Sequence, residues 1–217
     1  MEFIRVRPRE VSLFFVIFYL VGATGLLLPF SFPWFVKLTP WALILSNIGL
    51  FIFHPSKRLK QDIPIFTATF LLGFLIEAIG VNTGYIFGNY QYGETFGIKL
   101  FNTPLLIGLN WLFLTYAGVS ISESLSGNVS VQLLVAPTLM LVYDLILEQL
   151  APRMDMWSWA NASVPVGNYI AWWLIGFLFA VFFKFSKINT HNPLAFVLFL
   201  CQFLFFMVLF IVYTVIQ

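Results

Sequence analysis

Residues 193–216 read PLAFVLFLCQFLFFMVLFIVYTVI, a stretch without a charged side chain. An uninterrupted apolar run of about 20 residues is long enough for a helix to cross the hydrocarbon core of a bilayer. Six further apolar segments precede it, at about 11–29, 39–53, 63–80, 103–120, 129–150 and 165–185. They are continuous runs and not alternating ten-residue strands, which argues against a β-barrel. The sequence therefore predicts an all-α polytopic membrane protein with about seven transmembrane helices in one bundle.

The composition of the whole chain agrees with this prediction. Of 217 residues, 60% are hydrophobic and 9% are charged, whereas soluble domains carry about 25% charged residues. This excludes a soluble domain, a disordered tail and a nucleic-acid binder. A single cysteine, Cys201, excludes an internal disulfide and a cysteine metal cluster, and two histidines are too few for a histidine-box metal centre. We expect one integral membrane domain over residues 1–217, with no metal and no organic cofactor.

The orientation follows from the lysines and arginines in the short connections. With seven spans, Lys37, Lys99 and Arg153 fall on one side of the membrane. Eight others fall on the opposite side: Arg5, Arg7, Arg9, Lys57, Arg58, Lys60, Lys184 and Lys187. This bias predicts a cytoplasmic N-terminus and an outer C-terminus in a bacterial-type cell membrane. No clear A-x-A cleavage site follows the first segment, so we expect an uncleaved span.

Polar residues within the spans lie at one predicted depth. Glu77, Asp144 and Glu148 fall in the outer halves of their segments, beside the two larger outer connections, residues 81–102 and 151–164. Asn110, Trp111, Asn168 and Trp172 fall in the outer halves of the fourth and sixth segments. Ionisable groups within a span are costly and usually face the protein interior. Polar groups from four helices at one level therefore predict a functional pocket.

Structural roles are the alternatives for several of these side chains. Glu148 lies near the end of its segment and could be an interfacial charge. Asn110 and Asn168 could form hydrogen bonds that hold helices together. His54 and His191 lie at predicted cytoplasmic ends, far from the pocket, and we interpret both as interfacial.

The chemistry of such a pocket suits acid catalysis on an alkene. A buried carboxylic acid that keeps its proton can donate it, and two carboxyl groups at one site can divide the acid and base roles. Aromatic faces can stabilise a cation. No P-loop and no HExxH motif is present, and without a histidine cluster we expect any added oxygen to come from water. These parts favour protonation of an alkene followed by capture of a carbocation.

Two blocks carry a resemblance to a known family. Residues 77–92, EAIGVNTGYIFGNYQY, with Pro104 and the pair at 110–111, form the first block. The second block follows a D…W-x-W…P-x-x-N-x-x-x-W pattern from Asp144 to Trp172. Over about residues 70–173 the chain resembles the carotenoid biosynthesis family that includes the CruF-type carotenoid 1,2-hydratases.

The resemblance implies hydration of the terminal 1,2 double bond on an acyclic ψ end of a carotenoid, such as γ-carotene, lycopene or a bacterioruberin precursor. In our hypothesis Asp144 or Glu77 protonates carbon 2, and water held by the other carboxylate or by Asn168 attacks the tertiary cation at carbon 1. Glu148 is the third catalytic candidate. The substrate-binding candidates are Asn82, Tyr90, Asn110, Trp111, Trp157, Trp159, Asn168 and Trp172.

The predicted partners are a carotenoid, water and the lipid bilayer, with other carotenoid enzymes as candidates for association. The predicted class is a cofactor-independent hydro-lyase. Two other functions remain open at this point. One is another carotenoid or isoprenoid end-group enzyme, such as a cyclase, because cyclisation begins with the same protonation. The other is a non-enzymatic pigment-binding or transport protein.

Overall fold

The computed structural model describes residues 7–56 and 58–216, and those residues form a bundle of seven α-helices. The helices are α1 (Pro8–Leu27), α2 (Phe32–Ile52), α3 (Leu59–Thr83), α4 (Ile107–Leu125), α5 (Val129–Leu150), α6 (Val166–Phe185) and α7 (Ala195–Phe210), which continues as a π-helical segment, Ile211–Ile216. Four short strands lie in the connections: β1 (Tyr90–Tyr92), β2 (Lys99–Leu100), β3 (Thr103–Pro104) and β4 (Trp157–Trp159). The predicted all-α membrane architecture is confirmed.

Six of these helices are long and apolar enough to cross a membrane, and α4 is the exception. Fifteen of the 19 residues of α4 are buried, and it packs against α2, α3, α5, α6 and α7. A helix that is enclosed by protein does not need an apolar face toward lipid. This explains why α4 contains serines, a threonine and glycines. That α4 spans the membrane as the seventh helix stays a prediction.

Several helix ends differ from the predicted segments. The second helix begins at Phe32 and not at residue 39, because Pro33 starts the helix and Pro40 is accommodated within it. The third helix runs past the predicted end at residue 80 and stops at Gly84, whose φ of +70° suits glycine. The added turns contain polar residues, so the hydropathy of the sequence does not predict them as part of the apolar segments.

Basic side chains lie at both ends of the bundle. Arg58 donates a hydrogen bond to the backbone oxygen of Lys187 (3.0 Å), which brings the α2–α3 and α6–α7 connections to one end. Arg153 stacks over the ring of Tyr213 near the other end. Arg5 and Lys57, also used in the charge comparison, lie outside the described residues. Which end is cytoplasmic stays a prediction.

The interpretation of His54 as an interfacial residue is wrong. Its side chain is 1% exposed, with Nδ1 at 2.7 Å from the Tyr116 hydroxyl and Nε2 at 3.2 Å from Asp62. Ser56 also donates to Asp62. A polar histidine at a helix end is thus drawn inside by partners on α3 and α4. His191, by contrast, is exposed.

Candidate active site

A two-stranded ribbon joins the α3–α4 and α5–α6 connections next to the carboxyl groups. Strands β1 and β4 pair antiparallel, with Tyr90 opposite Trp159 and Tyr92 opposite Trp157. Alternate side chains of a strand point to the same face. Tyr-x-Tyr and Trp-x-Trp therefore place four aromatic side chains on the face of the ribbon that covers the helices.

Glu77 on α3 receives both tyrosine hydroxyls. Tyr90 and Tyr92 each donate to Glu77 Oε2 at 2.7 Å, and Trp111 Nε1 on α4 donates to Oε1 at 2.9 Å. Burial, followed by the nearby Glu77 carboxyl, raises the pKa of both tyrosines well above the usual value. The two phenols therefore keep their protons and remain hydrogen-bond donors.

Glu148 on α5 receives both tryptophans of the ribbon. Trp157 Nε1 and Trp159 Nε1 donate to Glu148 Oε2 at 2.9 and 2.7 Å. Asn168 Nδ2 on α6 donates to Oε1 at 3.1 Å. Glu148 is 4% exposed, so the alternative of an interfacial charge is wrong for this residue. The two glutamates are each held by three donors, two of them from the ribbon.

Asp144 lies one helical turn before Glu148 and shares its amide partner. Asn168 Nδ2 is 3.3 Å from Asp144 Oδ2 as well as 3.1 Å from Glu148. Asp144 is completely buried, and no described residue forms a hydrogen bond with its Oδ1. Asn168 therefore connects two carboxyl groups that face the same side of α5.

Close packing between helices fixes the tryptophan that binds Glu77. The rings of Trp111 and Trp172 stack with centroids 4.2 Å apart and planes at 21°. Gly73 on α3 lies against Trp111, where an added Cβ would be 2.6 Å from Trp111 Cβ. Because Gly73 is one turn before Glu77, this approach sets the position of the indole N–H relative to the carboxyl group.

Glu77 and Glu148 face one small cavity of about 20 Å³. A cavity of about 10–15 Å³ is large enough for one water molecule. Its wall consists of aromatic, apolar and amide side chains together with the two glutamates: Phe87, Tyr90, Tyr92, Ile107, Trp157, Trp159, Asn168 and Trp172. We call it the carboxyl chamber. It is large enough for one water molecule beside two carboxyl groups.

A polar depression lies on the outer side of the ribbon. It measures about 320 Å³ and is lined by residues 89–91 and 158–160. Tyr90 and Trp159 line both this depression and the carboxyl chamber. These two side chains therefore lie between the depression and the chamber.

Most of the predicted site residues come together, and two do not. Asn82 is exposed and donates to the backbone oxygens of Ala78 and Phe101, which ties the β2–β3 turn to the end of α3. Asn110 lines a different, apolar cavity. Adjacent residues on a helix point about 100° apart, so Asn110 and Trp111 face different spaces.

Tyr92 is the functional side chain that the site prediction omitted. It donates to Glu77 as Tyr90 does. The signal was the spacing of two residues between the tyrosines, which matches the Trp157–Trp159 spacing and puts each pair on one face of a strand. Among the described residues, no group of three or more His, Cys, Asp or Glu side chains could hold a metal ion.

The arrangement brings carboxyl groups from α3 and α5 together beneath an aromatic ribbon, and the comparisons with known proteins name the family. A family model described as carotenoid biosynthesis protein matches residues 36–217. The chain belongs to this carotenoid biosynthesis protein family, as the sequence blocks predicted. A bisanhydrobacterioruberin hydratase from Haloarcula japonica is 28% identical over 194 residues, which cover 79% of this chain and 63% of that protein. The chain thus spans about 63% of the length of the curated relative it matches. No solved structure matches the chain significantly.

Proposed function

We propose that this protein is a carotenoid hydratase that adds water across the terminal 1,2 double bond of an acyclic ψ end group. The observation that carries the proposal is the pair Glu77 and Glu148 in one aromatic chamber with space for a water molecule. The name of the Haloarcula japonica relative, a hydratase, supports the same reaction class.

The hydrogen-bond partners favour Glu77 as the acid. Its two tyrosine partners have hydroxyl groups, which can donate or accept. When Glu77 carries a proton, its O–H can donate to a tyrosine oxygen, and when it is ionised both hydroxyls donate to it. Glu77 can thus exist in both protonation states without losing its partners, which a group that gives up and regains a proton each turnover requires.

The partners of Glu148 favour the base. Its three partners are two indole N–H groups and one amide N–H group, which can donate but cannot accept from a carboxyl O–H. Three donated bonds stabilise a carboxylate. Oε1 accepts only one of them, so it has capacity for a water proton. This assignment replaces Asp144 with Glu148 as the group that activates water.

The reaction balances as a net addition of water. Glu77 transfers its proton to carbon 2, which leaves a tertiary cation at carbon 1. Trp157, Trp159 and Trp172 line the chamber, and aromatic rings can stabilise a cation. Water attacks carbon 1, Glu148 takes the proton that the water loses, and that proton returns to Glu77. The product is a tertiary alcohol.

The test uses membranes that contain this chain and one acyclic carotenoid, lycopene. Hydration adds 18 Da per reacted end, and oxygen-18 from labelled water must appear in the product. A cyclic product of unchanged mass would show end-group cyclisation instead. Unaltered lycopene, with the protein folded and in the membrane, would show that the chain is not a hydratase of this substrate.

A further inference from the structure

The carboxyl chamber has space for about one water molecule, so a carotenoid end group can enter it only when side chains of its wall are displaced. A second cavity of about 260 Å³ lies beside it, between α1, α2, α5 and α7. We propose that this second cavity, the chain cavity, binds the isoprenoid segment next to the reacting end of the substrate. The proposal rests on the proposed function and adds where the substrate lies.

The size and chemistry of the chain cavity suit an apolar hydrocarbon. Its lining is almost entirely apolar and includes the rings of Phe18, Phe35 and Phe205. An engineered apolar cavity of about 150 Å³ stays dry and takes up benzene. At about 260 Å³, the chain cavity exceeds that volume. Ligand pockets are typically lined by such side chains with a few polar groups, and Asn110 and Thr39 are polar groups here.

The chain cavity and the carboxyl chamber share a wall. Consecutive residues face the two spaces at two places: Leu147 lines the chain cavity and Glu148 the chamber, and Met156 lines the chain cavity and Trp157 the chamber. Phe96 lines the chain cavity and stacks on Trp157, with centroids 6.4 Å apart and planes at 15°. Phe96 and Trp157 therefore separate a hydrocarbon in the chain cavity from the carboxyl chamber.

The chain cavity also reaches the surface that faces lipid. Val21 on α1 and Leu38 on α2 line it and are 55% and 51% exposed. Both side chains are apolar, and both belong to helices that are long and apolar enough to cross a membrane. The long remainder of a polyene can leave the cavity between these helices and stay in the bilayer.

Water and hydrocarbon then have separate routes to the acid–base pair. The polar depression above Tyr90 and Trp159 faces away from the helices, and the chain cavity lies among α1, α2, α5 and α7. This separation keeps the alkene dry until it meets one water molecule. The stacked pair Phe96 and Trp157 is the layer that the end group must displace to reach the chamber.

The experiment fills the chain cavity and measures bound pigment directly. Ala42→Phe and Thr39→Phe each place a ring into the cavity, since both residues line it. Thr24→Phe adds the same ring on α1 at an exposed position outside the cavity. Each variant is made in the full chain, in the wild-type and in the Glu77→Gln background, and purified from cells that make lycopene. Lycopene retained per protein is read from its visible absorbance.

In the Glu77→Gln background, which should not consume lycopene, we expect both cavity variants to retain at least 5-fold less lycopene than the Glu77→Gln parent, and Thr24→Phe to retain the parent amount. The hydration assay in the wild-type background should show a raised KM for both cavity variants. Because the two variants lie at different positions, a folding defect in one leaves the other informative, and thermal unfolding identifies it.

The outcomes separate the two proposals. Equal lycopene retention by the Glu77→Gln parent and both folded cavity variants in that background would overturn the chain cavity, even if the wild type hydrates lycopene. Loss of retention in both cavity variants, with no hydration by the wild type, would overturn the proposed function and support the cavity. Loss of retention in Thr24→Phe to the same degree would also overturn the cavity proposal.

Discussion

Tyr90 and Trp159 are directly opposite each other in the β1–β4 ribbon, with ring centroids 5.0 Å apart, yet they bind different carboxyl groups. Tyr90 donates to Glu77 on α3 and Trp159 donates to Glu148 on α5. The ribbon thus couples the positions of two acidic groups on separate helices. Their relative geometry depends on a short β-pairing of two loops as well as on helix packing.

Hydration should be nearly abolished when either glutamate of the carboxyl chamber can no longer transfer a proton. Glu77→Gln and Glu148→Gln keep the side-chain size but cannot transfer a proton. Positioned proton transfer typically contributes about 10²–10⁴-fold, so we expect each kcat to fall at least 100-fold in the lycopene hydration assay. Glu94→Gln is the control, because Glu94 lies in the same outer connection but pairs with Lys99 at the surface. A wild-type rate in either chamber variant would refute the assigned role.

Single deletions of the tryptophan donors should leave Glu148 in place but destabilise its ionised form, which is the form that acts as the base. Trp157→Phe and Trp159→Phe each take one N–H group from Glu148 Oε2 and leave the other. A hydrogen bond to a charged group contributes about 1.5–3 kcal/mol, so we expect rates lower by about 10- to 100-fold and a lower thermal midpoint. Trp173→Phe is the matched control, since its N–H binds Thr138 on the exposed face. Equal effects of all three variants would contradict a specific role for the ribbon.

The depth at which the carboxyl groups lie could be predicted from the sequence, because it depends on spacing along helices. Asp144 and Glu148 are four residues apart and share one helical face, and Asn168 meets both of them. Segment order and direction then placed Glu77 at a similar level. These relations are local or follow from the membrane, so no tertiary information was needed.

The β-pairing and the division between cavities could not be predicted in this way. The strands that bind Glu77 and Glu148 are three residues long and more than 60 residues apart in sequence, and such short segments have no measurable periodicity. Asn110 has the same residue type and depth as Asn168, but the rotation of α4 turns it into the chain cavity. The buried state of His54 likewise depends on Tyr116, which is 62 residues away.

The close approach of α3 and α4 predicts a strong effect of a single methyl group. In Gly73→Ala the new Cβ would lie 2.6 Å from Trp111 Cβ, which is fixed to the backbone, so the helices must separate. Overpacking costs about 1–3 kcal/mol, which exceeds the gain of about 1 kcal/mol in helix propensity. We expect a lower thermal midpoint and a lower kcat, since Trp111 moves away from Glu77.

Gly127→Ala is the control for this substitution, because no atom lies within 4 Å of its added Cβ. It should keep the wild-type midpoint and rate. A stable and fully active Gly73→Ala protein would show that the α3–α4 approach does not position the indole.

The polar cluster around His54 should contribute to the stability of the protein, and its loss should not affect the carboxyl chamber. His54→Ala leaves the Tyr116 hydroxyl and the Asp62 carboxyl with one partner fewer in a buried site. An unsatisfied buried polar group costs about 1–3 kcal/mol, so we expect a lower thermal midpoint with KM for lycopene unchanged in the folded fraction. His191→Ala, at an exposed position, should change neither. A raised KM in folded His54→Ala would indicate that this cluster communicates with the substrate.

Asp144 provides the sharpest test of which carboxyl groups react. It lines neither the carboxyl chamber nor the chain cavity, and the hydrogen bond that it accepts from Asn168 positions that amide. Asp144→Asn keeps an oxygen that accepts this bond, so we expect kcat to fall by less than about 10-fold. Loss of a group that transfers a proton would lower kcat by at least about 100-fold. Asp144→Leu removes the acceptor, and the misplaced Asn168 should lower kcat further. If Asp144→Asn instead folds normally and is as inactive as Glu77→Gln, then Asp144 transfers a proton itself, and Glu148 loses its place as the base.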